Sequence, residues 1–145
     1  MNLVEKLQAR NPQGGVFQLE SRLARSVLDR QASAQGLCCF HIDGEGIQSK
    51  KMFLETVSRA MEFPKYFGGN WDAMEDCMTD LSWKPARGYC LLYDHAGDFA
   101  LATPGEFATA LEIFRAASDF WASQEKPMWI LLRDARPISK LELFR

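Results

Sequence analysis

Histidine is scarce in this 145-residue sequence, which has only His41 and His95, and the four cysteines (Cys38, Cys39, Cys77 and Cys90) show no C-x-x-C spacing. A zinc site is therefore not expected, and no other metal or cofactor is signalled. No G-x-G-x-x-G follows a strand pattern, and there is no P-loop, no G-x-S-x-G elbow and no internal repeat. No apolar stretch approaches the roughly 18 residues that a membrane-spanning helix needs, and the opening residues lack the apolar core and small-residue cleavage site of a secretory leader. A soluble, cytoplasmic protein is expected, with its cysteines acting as small buried hydrophobes in a reducing compartment. Lys and Arg number 17 against 19 Asp and Glu, a net charge of −2. With no basic run, neither nucleic acid nor membrane is expected as a partner.

What is present is a globular composition, with 47% apolar and 25% charged residues. A chain of this length buries roughly two-thirds of its unfolded surface, so residues 1–145 are expected to form a single domain. Residues 1–14 read as a short helix or a mobile lead-in, closed by Asn11-Pro12-Gln13-Gly14-Gly15. Val16-Phe17-Gln18-Leu19 reads as a strand, and Leu19, Leu23, Val27 and Leu28 as a helical stripe ending near Gly36. Residues 37–42 (LCCFHI) are continuous and apolar apart from His41, the pattern of an inner strand of a parallel sheet. Ser49 is positioned to cap a helix that turns Phe53, Leu54, Val57, Ala60 and Met61 to the core before Pro64.

Residues 88–93 (GYCLLY) and 128–132 (MWILL) read as further strands. Between them, Thr103-Pro104-Gly105-Glu106 has the form of a capping box with proline at the first helical position. It opens a long helix whose apolar face is Phe107, Ala110, Leu111, Phe114, Ala117 and Trp121. Residues 133–145 carry no assignable pattern. Strands alternating with amphipathic helices predict an α/β fold, with a small, mainly parallel β-sheet packed by helices.

Charge is unevenly spread: residues 37–100 hold ten acidic and six basic side chains, whereas residues 1–36 hold three and five. No basic residue lies between Lys65 and Lys84, while Asp72, Glu75, Asp76 and Asp80 fall in one predicted helix of about three turns, capped by Asn70. At about 100° per residue, Trp71, Met74, Cys77, Met78 and Leu81 gather on one side, and Asp72, Asp76, Thr79 and Asp80 on the other. Asp72 suits the positive end of the helix dipole. Asp76 and Asp80 do not, and the pairs Asp72/Asp76 and Asp76/Asp80 repel by about 0.2–0.5 kcal/mol each. Such a face is either simply solvated or kept for a basic partner. Just upstream, Tyr66, Phe67, Gly68 and Gly69 set aromatic area and permissive backbone beside the acids, as a protein-binding surface requires. Phe67 is expected to be the buried aromatic and Tyr66 the exposed one.

The run from Phe63 to Leu81 (FPKYFGGNWDAMEDCMTDL) resembles the signature of the barstar family, intracellular inhibitors of the ribonuclease barnase. It shares a proline, an aromatic pair, Gly-x-Asn, Asp-Ala and a second Asp-Cys four residues on. The likeness spans residues 37–132, leaving residues 1–36 as an N-terminal extension and 133–145 as a tail. It implies a barstar-like fold with an extra N-terminal strand-helix unit, no catalytic activity, and the blocking of a basic ribonuclease active site by an acidic helix and its preceding loop. Carried over residue by residue, Asp76 corresponds to the central inhibitory aspartate, Asp72 to its partner one turn earlier and Tyr66 to the loop tyrosine, while Gly68 and Asn70 shape the loop. The expected partner-binding set is Tyr66, Phe67, Gly68, Gly69, Asn70, Asp72, Glu75, Asp76, Thr79 and Asp80. Two positions depart from the signature: Glu75 stands where it has a tryptophan, and Ala116 where a further contacting glutamate follows the Phe-Arg pair.

Other readings stay open. The same face suits a basic protein other than a ribonuclease, or an ancestral surface that has drifted. A metal-dependent hydrolase would use Asp72 and Asp76, with Asp94 and His95, if about six oxygens converged on a divalent cation. Otherwise His95 is a polar residue at a strand end and His41 a satisfied histidine near the sheet. The extra strand and helix of residues 16–35 would extend the sheet edge or support assembly, and the oligomeric state is left open.

Overall fold

The computed structural model describes residues 1–65 and 68–145. Along the chain these form α1 (Leu3–Arg10), β1 (Gly15–Leu19), α2 (Arg25–Ala34), β2 (Leu37–Asp43), α3 (Lys50–Ala60), α4 (Trp71–Met78), β3 (Gly88–Asp94), α5 (Ala96–Ala102), α6 (Pro104–Ser123), β4 (Met128–Leu132) and β5 (Glu142–Phe144). The strands make one parallel sheet in the order β2-β3-β4-β1-β5, an α/β architecture consistent with a barstar-like fold. Among the described residues no helix is long and apolar enough to cross a membrane.

Successive strand residues point to opposite faces of the sheet, and here both faces are covered. Tyr89, Leu91 and Tyr93 of β3 and Met128, Ile130 and Leu132 of β4 share one core with α3, α4, α5 and α6. The intervening Cys90, Leu92, Trp129 and Leu131 share a second core with Leu3, Val4 and Leu7 of α1, Leu28 and Ala32 of α2, and Phe144 of β5. Burial on both faces is why the two central strands are apolar throughout rather than alternating. Trp129, fully buried, donates its indole N–H to the carbonyl of Asn11 at 2.8 Å and so ties α1 to the sheet.

Of the two options for residues 1–14 the helix is realised: Asn2 and Glu5 form a reciprocal capping box, each side chain accepting from the other's backbone N–H at 2.9 Å. Leu19 belongs to β1, and α2 begins only at Arg25, so the expected helical stripe starts too early. Strand β1 does extend the sheet beyond β4, but it lies inside, with β5 closing its other side. Strand β2 is at an edge rather than inside. Its run is apolar because α2 and α3 pack against it.

Two elements were not read from the sequence. Helix α5 follows His95, whose φ of 53° places it in the left-handed region, and β5 lies in the tail. The tail is held by Gln18, whose amide donates to the carbonyl of Arg136 at 2.9 Å and accepts from the N–H of Ile138 at 2.8 Å. The capping box at Thr103 does not form. Thr103 makes no side-chain cap bond, and its buried hydroxyl has no partner among the described residues. All four cysteines are free, with Cys77 and Cys90 buried and Cys38 and Cys39 half-buried. His41 bonds Asp29 through Nε2 at 2.7 Å.

Candidate functional site

Helix α4 starts where the side chain of Asn70 accepts from the N–H of Ala73 at 2.7 Å, as the sequence leads one to expect of an N-cap. Gly68, Gly69 and Asn70 are exposed, and Gly69 takes a φ of +71°, a conformation that glycine adopts without strain. Tyr66 and Phe67, the aromatic pair of the expected binding set, lie outside the described residues. Behind the helix, Met74, Cys77 and Met78 are buried, together with Leu81 just beyond it, and Trp71 is half-buried.

The helix is shorter than expected. It spans eight residues, about two turns, and ends at Met78. Thr79 closes it by bonding its hydroxyl to the carbonyl of Glu75 at 2.8 Å, and Leu81 turns the chain with a φ of 50°. Asp80 therefore lies in the turn and not in the helix, and the Thr79 hydroxyl serves the helix end rather than the outer face. Asp72, Glu75, Asp76 and Asp80 are all exposed.

No Lys, Arg or His pairs with Asp72, Glu75 or Asp76 among the described residues. Lys84 bonds Glu62 at 2.7 Å, and the Lys50 ammonium lies 5.5 Å from the centre of the Trp71 ring. Burial, with the carboxylates of Asp80 and Asp76 adding to it, pushes the Cys77 thiol above its ordinary range. Cys77 is thus a buried thiol beneath an anionic surface that disfavours its thiolate.

The back of the helix is held by two tryptophans that the sequence places on apolar faces: Trp71 donates to Glu106 of α6 at 3.0 Å, and Trp121 donates to the carbonyl of Met78 at 2.8 Å. A third, Trp83, donates to the carbonyl of Met61, just after α3, at 3.0 Å. Trp83 also meets the ring of Phe63 edge-on, with centroids 6.3 Å apart. These contacts anchor the chain on both sides of the turn that precedes α4. Hydropathy alone does not reveal such donors, because an indole reads as apolar bulk.

The metal-hydrolase arrangement is not assembled at α4. Among the described residues, the carboxylate and imidazole atoms that converge belong to Asp43, Glu45 and His95, within 4.8 Å of one another and all exposed. Neither Asp72 nor Asp76 is part of that group. Asp94 is occupied by the Arg133 guanidinium, which forms a two-pronged bond at 2.6 and 3.0 Å.

The chain is thus a parallel α/β scaffold that carries an acidic helix on its surface and braces it from behind. The family model for Barstar (barnase inhibitor) matches residues 37–133, and the chain belongs to that family. Its members are inhibitors, not enzymes, that bind barnase-type ribonucleases. The match runs from β2 through β4 and leaves α1, β1, α2 and β5 outside it. The comparison with curated proteins found no match.

Proposed function

We propose that this chain is a ribonuclease inhibitor that blocks the basic, phosphate-binding cleft of a barnase-type enzyme with α4 and the turn before it. The observation that carries the reading is that Asp72, Glu75 and Asp76 are exposed side by side with no cation paired to them among the described residues. Such carboxylates stand in for the phosphates of RNA. They form charge-assisted, two-pronged bonds with arginines, and their summed field speeds the encounter with a positive cleft. The four free thiols suit a reducing, cytoplasmic setting.

The test is titration of the protein into a barnase-type ribonuclease at several salt concentrations, with RNA cleavage as the second readout. Inhibition that weakens steeply with salt, and that Asp72→Ala and Asp76→Ala each reduce, supports the reading. Variants that inhibit as well as the wild type remove α4 as the site. The departures at Glu75 and Ala116 favour a broader version, in which the same face docks a different basic protein. Salt-sensitive, Asp76-dependent binding to such a protein, without binding to the ribonuclease, separates that version from the first.

A further inference from the structure

The N-terminus of α4 is held by a contact that no sequence pattern announces. Trp71, the first residue of the helix, donates its indole N–H to Oε2 of Glu106 at 3.0 Å. Its ring packs on Phe53 of α3, with centroids 5.8 Å apart, and faces the Lys50 ammonium at 5.5 Å. Helices α3, α4 and α6 therefore meet on one indole, directly after the turn at Gly68–Asn70 and one residue before Asp72.

Glu106 has a competing role within its own helix. It is the third residue of α6, and Thr103-x-x-Glu106 has the spacing of a capping box. Neither half of that box is made: the Thr103 hydroxyl is buried without a partner among the described residues, and the Glu106 carboxylate is turned to α4 instead. A local rule broken in favour of a distant contact is the pattern found where a fold serves a site rather than its own stability. At the other end of α4, Trp121 of α6 holds the carbonyl of Met78, so the helix is pinned to α6 by an indole at each end.

The geometry points to Glu106 as a positioning residue for the acidic face: through Trp71 it fixes the orientation in which α4 presents Asp72 and Asp76. Glu106 itself meets no partner. The inference rests on the inhibitor reading for the use of that face, whereas the pin can be measured without any partner.

The test compares Glu106→Ala, Glu106→Gln, Trp71→Phe and the double variant Glu106→Ala/Trp71→Phe in the full chain. Amide exchange of α4 is read against that of β4, beside titration of a barnase-type ribonuclease. Glu106→Ala and Trp71→Phe are expected to speed α4 exchange about tenfold while β4 is unchanged, and Glu106→Gln, which keeps an acceptor, stays near the wild type. Ribonuclease binding weakens by about three- to tenfold in either single variant, and the double variant is no worse than the singles because both remove one interaction. Unchanged α4 exchange in Glu106→Ala overturns the inference, as does equal acceleration in β4, a Glu106→Gln variant as impaired as Glu106→Ala, or loosened exchange with undiminished binding. Variants that show the exchange pattern, beside a wild-type protein that does not bind the ribonuclease, support the pin and remove the inhibitor reading.

Discussion

Trp121 donates its indole N–H to the carbonyl of Met78 across 2.8 Å, joining the last turn of the long helix α6 to the last residue of the short helix α4, with both side chains buried. The carbonyls of a helix's last turn have no partner within the helix and otherwise turn to water, which this buried one does not reach. Trp121→Phe keeps an aromatic ring against Tyr89, whose centroid lies 5.1 Å away, and removes the donor together with the volume of the second ring. The expected loss is about 1–3 kcal/mol, the cost of a buried acceptor left unsatisfied. Urea unfolding at neutral pH measures it, and Trp121→Phe with wild-type stability would show that the carbonyl finds another donor.

Asp76 offers a variant whose stability and binding effects should have opposite signs. It sits toward the negative end of α4, one turn after Asp72, and has no cationic partner among the described residues. Because Asp80 lies past the helix end, Asp72/Asp76 is the one like-charge pair at i, i+4 within the helix itself. Asp76→Asn should therefore raise stability by about 0.2–0.5 kcal/mol while weakening binding to a barnase-type ribonuclease at least about tenfold. Thermal melts and titration on the same preparation check both halves, and a variant that loses stability and affinity together would point to a structural role instead.

The parts that could be read from residues were those governed by short-range rules. The runs LCCFHI, GYCLLY and MWILL became β2, β3 and β4 because a strand covered on both faces must be apolar throughout, and Ser49 and Asn70 cap helices because their side chains accept N–H bonds from the first turn. Failures came where a distant group competed for a local one. Glu106 is claimed by Trp71, so the Thr103 box is empty, and Thr79 bonds backward to Glu75, so α4 stops a turn early. Strand β5 has only Phe144 buried in three residues, too little to show a period, and α5 starts from a left-handed His95 with no side-chain cap. At the site, the exposed acids and the buried Met74, Cys77 and Met78 were visible as two faces of one wheel. The indole donors behind them were not, since which carbonyl or carboxylate an indole reaches depends on how the helices pack.

The tail has an acid-sensitive clasp. Arg136 bonds Asp134 through its side chain, and the N–H groups of Arg136 and Gly97 also donate to that carboxylate, holding it well below the usual carboxylate range. A carboxyl depressed in the folded state contributes stability that is complete above its unfolded pKa, about 4, and that fades as the pH falls toward the folded value. Asp134→Asn can satisfy one oxygen's donors but turns an amide N–H toward the other's, so a loss of about 1–3 kcal/mol is expected at neutral pH. Below about pH 4 the wild-type advantage should shrink. Unfolding curves collected across the acid range test the sign, and a gap that widens on acidification would refute it.

Leu28 tests whether the segment ahead of the family match is needed by the fold. The matched residues 37–133 include Cys90, Leu92, Trp129 and Leu131, which turn one face of the sheet toward α1 and α2. Leu28 of α2 is 2% exposed, and it lies in that second core with Leu7 and Phe17, all from residues outside the match. If α2 merely decorates a self-sufficient fold, Leu28→Ala should loosen α2 alone and leave the central strands protected. If the second core is part of the cooperative unit, the same change should cost about 2–5 kcal/mol globally, as truncation of a core leucine does elsewhere. We expect the second outcome, because a parallel sheet with one bare face would expose Trp129 and its neighbours to water. Urea unfolding followed by tryptophan fluorescence, together with amide exchange in β4, distinguishes them: a single transition shifted to lower urea, with faster exchange in β4, supports the cooperative unit. An unshifted transition with exchange faster only in α2 rejects it.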